Sequence, residues 1–531
     1  MVRARKKRLG DLLAAAKLAI HCPGDAQDVE ICGVMDDSRK VSAGMLFVAV
    51  AGSRVDGHRF IADAVARGCA AVLACHDFAG TCPVPLLKID DTTQALGYLA
   101  AAFYDFPCRS MKMIGITGTN GKTTCTYLLE ALINQAGGTP GVIGTVSVRY
   151  KGCETPAALT TPQAVELQQI LCQMVEAGVT HVAMEVSSHA LAQHRVNGVW
   201  FDVALFTNIS RDHLDFHGSM AGYFAEKEKL FASYLKEDGQ GVIVLGKGEG
   251  EEEPGEAWCG RLIDVLRRGN HGCLTCGIGR GLIQARDFSF DLQGVRADIV
   301  TPAERCALAS PLVGEFNLRN LLAVIGCGMA LGYDLTAICQ GVAGVRGVPG
   351  RLERVLPDGD PARQGREVAT VFVDYAHTPD ALENVLLTLR ALSPVRLIVV
   401  FGCGGDRDRG KRSLMGGVAA RLADVLLVTS DNPRSEPPQK IMEEIEAGIR
   451  EEKLIKVKGE QLMQSRQLQG YDVIEERAEA IRIAICGAGA GDVVLISGKG
   501  HECYQIIGSR KLFFDDRQQA REQLNIARQA A

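Results

Sequence analysis

The stretch Met113-Ile114-Gly115-Ile116-Thr117-Gly118-Thr119-Asn120-Gly121-Lys122-Thr123-Thr124 decides the fold. Its first five residues form a short apolar run of the kind that becomes a buried parallel strand. Leu128, Leu129, Leu132 and Ile133 then recur at helical spacing until Gly137-Gly138 stops the helix. Strand, glycine-rich turn and helix therefore follow one another directly. Gly118 and Gly121 let backbone N–H groups approach an anion at the helix N-terminus, Lys122 adds a point charge for outer phosphates, and the Thr123 hydroxyl is suited to a magnesium ion. The spacing departs from G-x-x-x-x-G-K-[ST], because Ile116 stands where that pattern has its first glycine. A nucleotide phosphate cradle is expected.

At 531 residues the chain is too long for one core and implies about three domains. With 47% hydrophobic and 23% charged residues and 59 glycines, it has the profile of an α/β protein with many strand-to-helix turns. A formal charge of −5 argues against nucleic-acid binding. No stretch reaches the apolar length of a bilayer span, so no membrane insertion is expected. The basic start at 3–8 runs into an apolar segment at 12–20 that Asp11 and Lys17 interrupt, which reads as a frayed first helix rather than a signal peptide. Eighteen scattered cysteines point to a reduced, cytoplasmic protein, and Cys273 and Cys276 form a lone C-x-x-C read as coincidence.

Residues 1–110 read as a small α/β domain, with strands at 45–50, 70–73 and 86–89 and helices at 60–67 and 92–104. Asp37-Ser38-Arg39 precedes the first of these strands. Residues 111–345 form a second domain around the cradle. In it, 141–148 is expected as a strand, and Thr160-Thr161-Pro162 is expected to open a helix with a hydroxyl cap. A strand at 181–186 delivers Glu185, Ser187, Ser188 and His189 at the sheet edge where ligands bind. A glutamate in so apolar a strand is costly unless paired or bound to metal. Another strand, 201–206, ends in Thr207-Asn208-Ile209-Ser210-Arg211-Asp212-His213-Leu214-Asp215-Phe216-His217-Gly218, whose D-H-x-D-x-H spacing suits a metal box and a solvated loop equally. Lys227 and Lys229 lie on a helix at 220–234. The acidic run 251–253 reads as a solvated loop. Residues 346–531 form a third domain, in which strands at 368–373, 397–401, 425–428 and 493–496 each deliver polar residues at one edge, making a binding crevice.

Thr117 to Thr124 resembles the ATP-binding loop of the Mur ligase superfamily, and the Asp37-Ser38-Arg39 domain resembles the uridine-nucleotide domain of its muramyl-tripeptide synthetases. The segment Met184 to Val196, the Asn208 to Gly218 cluster, Gly314-Glu315-Phe316-Asn317-Leu318-Arg319-Asn320 and the four strand-end segments of the third domain are similar to the same family. The resemblance implies an N-terminal uridine-nucleotide-binding domain, a central P-loop-type ATP-binding domain with a mostly parallel sheet, and a C-terminal Rossmann-like domain. It further implies ATP and two magnesium ions. Gly118, Thr119, Asn120, Gly121, Lys122, Thr123, Thr124, Asn208, Asn317, Asn320, Arg351, Asp374 and His377 would meet ATP. Thr123, Glu185, His213 and a carbamylated Lys227 would serve the metal, and Lys122, Glu185, His213 and Lys227 the catalysis. The muramyl nucleotide would be met by Ser38, Thr160, Thr161, Ser187, Gln193 and Arg195. The family's Asn-x-Asp-Asp segment is replaced here by Gly246-Lys247-Gly248-Glu249.

The implied reaction is ATP-dependent addition of an amino acid to UDP-N-acetylmuramoyl-L-alanyl-D-glutamate through an acyl phosphate, by an enzyme expected to be monomeric. Asp431-Asn432-Pro433-Arg434 points to meso-diaminopimelate. Proline fixes the backbone past the strand end, and a guanidinium suits the second carboxylate that lysine lacks. The resemblance adds Arg407, Gly498 and Glu502 to that site. The bland alternative has Arg434 pairing with Glu436 or capping the helix after Pro438. Other functions to be separated are lysine addition, a folylpolyglutamate synthetase-like ligase, and a nucleotide-sensing binding protein without turnover.

Overall fold

The computed structural model describes residues 5–20, 24–52, 55–246, 254–359, 368–452 and 454–530. The chain forms two compact units. One comprises Met1–Asp287, Ala297–Leu308 and Arg319–Gly344, and the other Phe288–Arg296, Ala309–Leu318 and Val345–Ala531.

The first unit contains a four-stranded parallel sheet in the order Gly33–Met35, Met45–Val48, Ala71–Cys75, Leu86–Ile89. Strand alternation sends Leu46, Val48 and Leu73 into a core with the helices Leu9–Ala16 and Thr92–Phe103, while Phe47, Val72 and Ala74 meet Ile61 and Ala64 on the other face. A larger sheet runs in the order Cys153–Pro156, Ser147–Tyr150, Pro140–Ile143, His181–Glu185, Lys112–Thr117, Phe201–Phe206, Leu235–Val244, Gly272–Ile278 and continues through three further strands. From Pro140–Ile143 to Gly272–Ile278 every pairing is parallel. The central strands Lys112–Thr117, His181–Glu185 and Phe201–Phe206 are buried on both faces over most of their length, which is why they read as apolar runs.

In the second unit a six-stranded sheet has the order Glu353–Val355, Thr370–Asp374, Val493–Ser497, Leu397–Phe401, Val425–Val428, Gly470–Val473, parallel except for its first strand. Strand Val493–Ser497, last of these in sequence, inserts between the second and third. Sequence order is interrupted there, and the crevice beyond the strand ends is the expected place for a ligand.

Several sequence expectations need correction. The run at 141–148 is two strands, Pro140–Ile143 and Ser147–Tyr150, the second folding back antiparallel on the first. The break serves Glu185, because Thr145 turns its N–H and hydroxyl onto that carboxylate at 2.9 and 3.0 Å. A side chain at Gly144 would put its Cβ 2.4 Å from Glu185 Oε1. Thr160 and Thr161 do not cap a helix, which starts at Ala164 behind Gln163 with no side-chain cap. The first helix is not frayed: Leu9, Leu12, Leu13 and Ala16 are buried and left-handed Lys17 ends it. The helix expected at 220–234 is Met220–Ala232. Cys273 and Cys276 stand three apart on one strand, hence on opposite faces. The acidic run 251–253 and residues 247–249 lie outside the described residues. Among the described residues no helix is long and apolar enough to cross a membrane.

The second unit is tied by a fully buried ion pair. Arg477 Nε and Nη2 each donate to Asp516 at 2.7 Å, and Nη2 also donates to the Ser497 carbonyl at 3.0 Å. The pair joins the starts of helices Arg477–Cys486 and Asp516–Ala530 to the end of strand Val493–Ser497. Asp516→Ala would leave an uncompensated buried charge and should lower the unfolding free energy by roughly 3–5 kcal/mol in urea denaturation. A loss below about 1 kcal/mol would show the pair to be worth no more than a surface one.

Candidate active site

Three neighbouring parallel strands of the first unit end at one level. Glu185 pairs with Ile116, and Phe206 pairs with Thr117. Their polar continuations therefore converge around Gly118. The helix Lys122–Gln135 starts with Gly121 left-handed at φ 86° as its N-cap, so the N–H groups of its first turn face the loop. The loop is held by the segment after Phe206. Thr119 N–H donates to the Asn208 carbonyl at 3.0 Å, Asn120 N–H to Asn208 Oδ1 at 2.9 Å, and Thr207 Oγ1 to the Asn120 carbonyl at 2.6 Å. Any Cβ at Gly118 would fall 2.0 Å from Thr207 Oγ1. Asn320 packs against Gly121, where a Cβ would come within 2.3 Å of its Oδ1.

Two lysines meet at this loop. Lys122 Nζ donates to the Gly118 and Thr119 carbonyls, both at 2.8 Å, and Lys227 Nζ donates to the same Gly118 carbonyl at 2.8 Å. Lys227 is 2% exposed, whereas Lys229, two residues on, is a half-buried surface lysine paired with Glu226. Burial, and then the Lys122 charge, hold the Lys227 ammonium well below its ordinary range. The Tyr223 ring lies 4.3 Å from that amine, and its hydroxyl meets Thr119 Oγ1 at 3.2 Å. A lysine whose pKa is lowered in this way gives up its proton more readily than a surface lysine.

Glu185 is 1% exposed, and its carboxylate receives the N–H and the hydroxyl of Thr145. Around it, Thr161 Oγ1 donates to the Glu185 carbonyl at 2.9 Å and to Ser187 Oγ at 3.3 Å. Arg195 donates to Gln193 Oε1 at 2.9 Å and to the Thr161 carbonyl at 3.1 Å, and Thr160 meets Thr145 at 3.1 Å. The structure thus gathers Thr160, Thr161, Ser187, Gln193 and Arg195 beside Glu185. Ser38 belongs instead to the short helix Ser38–Lys40 of the four-stranded sheet domain, whose cap is Asp37.

His213, left-handed at φ 53°, sits edge-on to His189 with ring centroids 4.8 Å apart. Among the described residues no group of three or more His, Cys, Asp or Glu side chains is arranged to hold a metal ion. A buried carboxylate beside a phosphate loop and a threonine hydroxyl instead fits magnesium, which takes few protein ligands and keeps phosphate and water oxygens.

In the second unit, Asp374 at the end of its strand accepts N–H groups from Leu352 at 2.5 Å and Ala376 at 2.7 Å, and burial raises its pKa. The Arg351 guanidinium lies 4.7 Å from the Tyr375 ring centre, and His377 Nδ1 is 2.8 Å from the Tyr375 carbonyl. Asn317 donates to the Val313 carbonyl at 2.9 Å. Arg434 has φ 51°, a conformation few non-glycine residues adopt. Its N–H donates to the Ile506 carbonyl at 3.0 Å and its own carbonyl accepts the Gly508 N–H at 2.7 Å, so the hairpin Tyr504–Ile507/Arg510–Phe513 clamps it. The guanidinium donates to the Gly405 carbonyl at 2.8 Å. Glu436 does not take it: that carboxylate is bound by buried Arg412 and by Arg409, and the following helix has no side-chain cap. Asn432 donates to Glu502 Oε2 at 2.9 Å, and Gly498, at φ 117°, lets Asp431 approach its backbone. Arg407 is exposed on the neighbouring loop. Sequence reasoning missed Thr145, Gln505 and the hairpin, which no local pattern announces. It also passed over Lys499, although a lysine between two glycines at a strand end is a visible signal.

Comparison with known proteins agrees with this layout. Residues 30–104 match the Mur ligase family catalytic domain, 116–328 the Mur ligase middle domain, and 350–500 the Mur ligase glutamate ligase domain. The chain is 44% identical over 98% of its length, and 98% of the relative's, to the UDP-N-acetylmuramoyl-L-alanyl-D-glutamate--2,6-diaminopimelate ligase of Gloeobacter violaceus. It is 42% identical over 92% of its length, and 94% of the relative's, to the protein of the same name from Geobacter sulfurreducens. A solved structure of a ligase of that name superposes with TM-score 0.70 at 31% identity, covering 98% of this chain and all of that one. Agreement across all three matched domains, in one order and over nearly the whole length, means that the chain belongs to the Mur ligase family.

Proposed function

We propose that the chain is the ATP-dependent ligase that joins meso-diaminopimelate to the D-glutamate of UDP-N-acetylmuramoyl-L-alanyl-D-glutamate, a step of peptidoglycan precursor synthesis. The observation that carries this is the pair Lys122 and Lys227 on one carbonyl of the phosphate loop, beside a buried glutamate. ATP would transfer its outer phosphoryl group to the terminal carboxylate of the muramyl dipeptide. The amine of diaminopimelate would then displace phosphate from the acyl phosphate and form the amide. Lys122 supplies charge for the phosphates and the loop N–H groups orient them. Asn208, Asn317, Asn320, Arg351, Asp374 and His377 are proposed for the nucleotide, and Ser38, Thr160, Thr161, Ser187, Gln193 and Arg195 for the muramyl nucleotide.

Magnesium, when bound, would neutralise phosphoryl charge. Thr123, Glu185, His213 and a carbamylated Lys227 would hold it. A neutral buried lysine is what carbon dioxide requires, and the resulting anion would sit beside Lys122 in place of a second cation. The division at 1–110, 111–345 and 346–531 is likewise our proposal, as are a monomeric state and a cytoplasmic location. Free cysteines, many of them buried, support a reducing compartment. Release of ADP that requires both the muramyl dipeptide and the amino acid tests the reaction; release without either substrate would favour a nucleotide-binding role.

For the cradle, Lys122→Ala should abolish turnover while muramyl-nucleotide affinity, measured calorimetrically, stays near wild type; retention of most of the rate would remove Lys122 from catalysis. Lys227→Ala should be inactive and regain part of its rate with added short-chain carboxylic acids, whereas an alanine variant of normal activity would refute the carbamate. For the amino acid, kcat/KM should favour diaminopimelate over lysine, and Arg434→Ala should lose activity towards diaminopimelate selectively, since only diaminopimelate brings a second carboxylate for the guanidinium. Equal kcat/KM for the two amino acids would overturn the substrate assignment.

A further inference from the structure

Beneath Asp431 and Glu502 lies a lysine that none of these roles uses. Lys499, just past strand Val493–Ser497, is 0% exposed. Its ammonium stands 3.5 Å from Asp431 Oδ1 and 3.7 Å from Glu502 Oε2. It donates to Asn432 Oδ1 at 3.3 Å and to the Tyr504 carbonyl. The groups it touches are cross-linked in turn: Asn432 Oδ1 accepts the Ile506 N–H at 2.9 Å, and Gln505 donates to the Asp431 carbonyl at 2.7 Å. One buried cation therefore ties together the segment after Val425–Val428, the turn carrying Glu502, and the hairpin that clamps Arg434.

Burying an ammonium is costly unless it is fully paired, and an apolar side chain would pack this position at less cost. The charge has a use because two carboxylates meet here. Asp431 and Glu502 repel each other, and burial together with Asp431 already raises the Glu502 carboxyl above its ordinary range, against Lys499, Asn432 and Arg434. Lys499 compensates one of the two negative charges. The Glu502 side chain is 18% exposed, against 9% for Asp431. Arg477, also buried, is hydrogen-bonded to Asp516 and acts on Asp431 and Glu502 through its charge alone.

Resting on the diaminopimelate reading, we propose that Lys499 is a positioning residue that holds Asp431 and Glu502 as a fixed anionic receiver for the second ammonium of the amino acid. Arg434 reads the far carboxylate, and the Lys499 cluster reads the amine on the same carbon. Selectivity then has two parts, carried by different side chains.

The test compares diaminopimelate with 2-aminopimelate, which keeps the reacting amine and both carboxylates but lacks the second amine. Wild type should prefer diaminopimelate. In Lys499→Met, kcat/KM for diaminopimelate should fall on the order of thirtyfold, mainly through KM, while that for 2-aminopimelate changes less than about threefold and KM for ATP stays put. Equal losses on both amino acids would overturn the proposal in favour of a purely structural lysine, and so would a wild type that uses both equally well. Lys499→Gln, uncharged but still able to donate to the Tyr504 carbonyl, gives the same comparison if the methionine variant does not fold. A wild type that ligates neither compound would instead refute the ligase reading itself.

Discussion

A single carbonyl oxygen, that of Gly118, receives N–H donors from two lysines, Lys122 and Lys227, each at 2.8 Å. Two charged amines on one acceptor repel, and burial together with the Lys122 charge holds the more buried of them, Lys227, well below its ordinary range. The rest of the first unit is built so that this arrangement can exist. Gly118 must be a glycine because Thr207 occupies the space of a side chain, and Thr207 is there because strand Phe201–Phe206 runs parallel to Lys112–Thr117 in matched register. Helix Met220–Ala232 is then placed to deliver Lys227 from its buried face.

The second unit meets a similar problem with the signs reversed. Two carboxylates come together at the open edge of a parallel sheet, and buried lysine and arginine side chains lie behind them. Both sites use a parallel sheet in the same manner. Apolar strands bury the scaffold, and polar residues start where the strands stop. Asp374 and Lys499 are tolerated at these edges because each has neighbours of opposite sign or several hydrogen bonds.

How much of this was legible before the structure depended on periodicity. Strands Phe201–Phe206, Leu397–Phe401 and Val425–Val428 were readable to the residue, because an unbroken apolar run between turn residues has few other interpretations. The run near 141–148 misled, since its interruption is caused by Glu185, forty residues away. Thr160 and Thr161 looked like helix caps, yet their hydroxyls serve the loop around Glu185, a demand invisible to a local pattern. Lys227 and Lys229 are indistinguishable by type, and only their helix face separates a buried amine from a surface ion pair. The hairpin Tyr504–Phe513 was missed because exposed strands such as Arg510–Phe513 carry little apolar alternation, and its role rests on long-range backbone bonds to Arg434.

That hairpin also sets the order in which the protein can become competent. During synthesis the phosphate loop has its partners Asn208, Tyr223, Lys227 and Asn320 once the chain has passed residue 320, well before the last strands. Arg434 takes up its left-handed backbone against Ile506 and Gly508, and Lys499 finds Tyr504, only when the last strands have emerged. Because domains fold as units from the N-terminus during translation, a nascent or prematurely terminated chain can build the phosphate loop while it lacks the groups proposed to select the amino acid. Completeness of the polypeptide is thereby coupled to amino-acid selection.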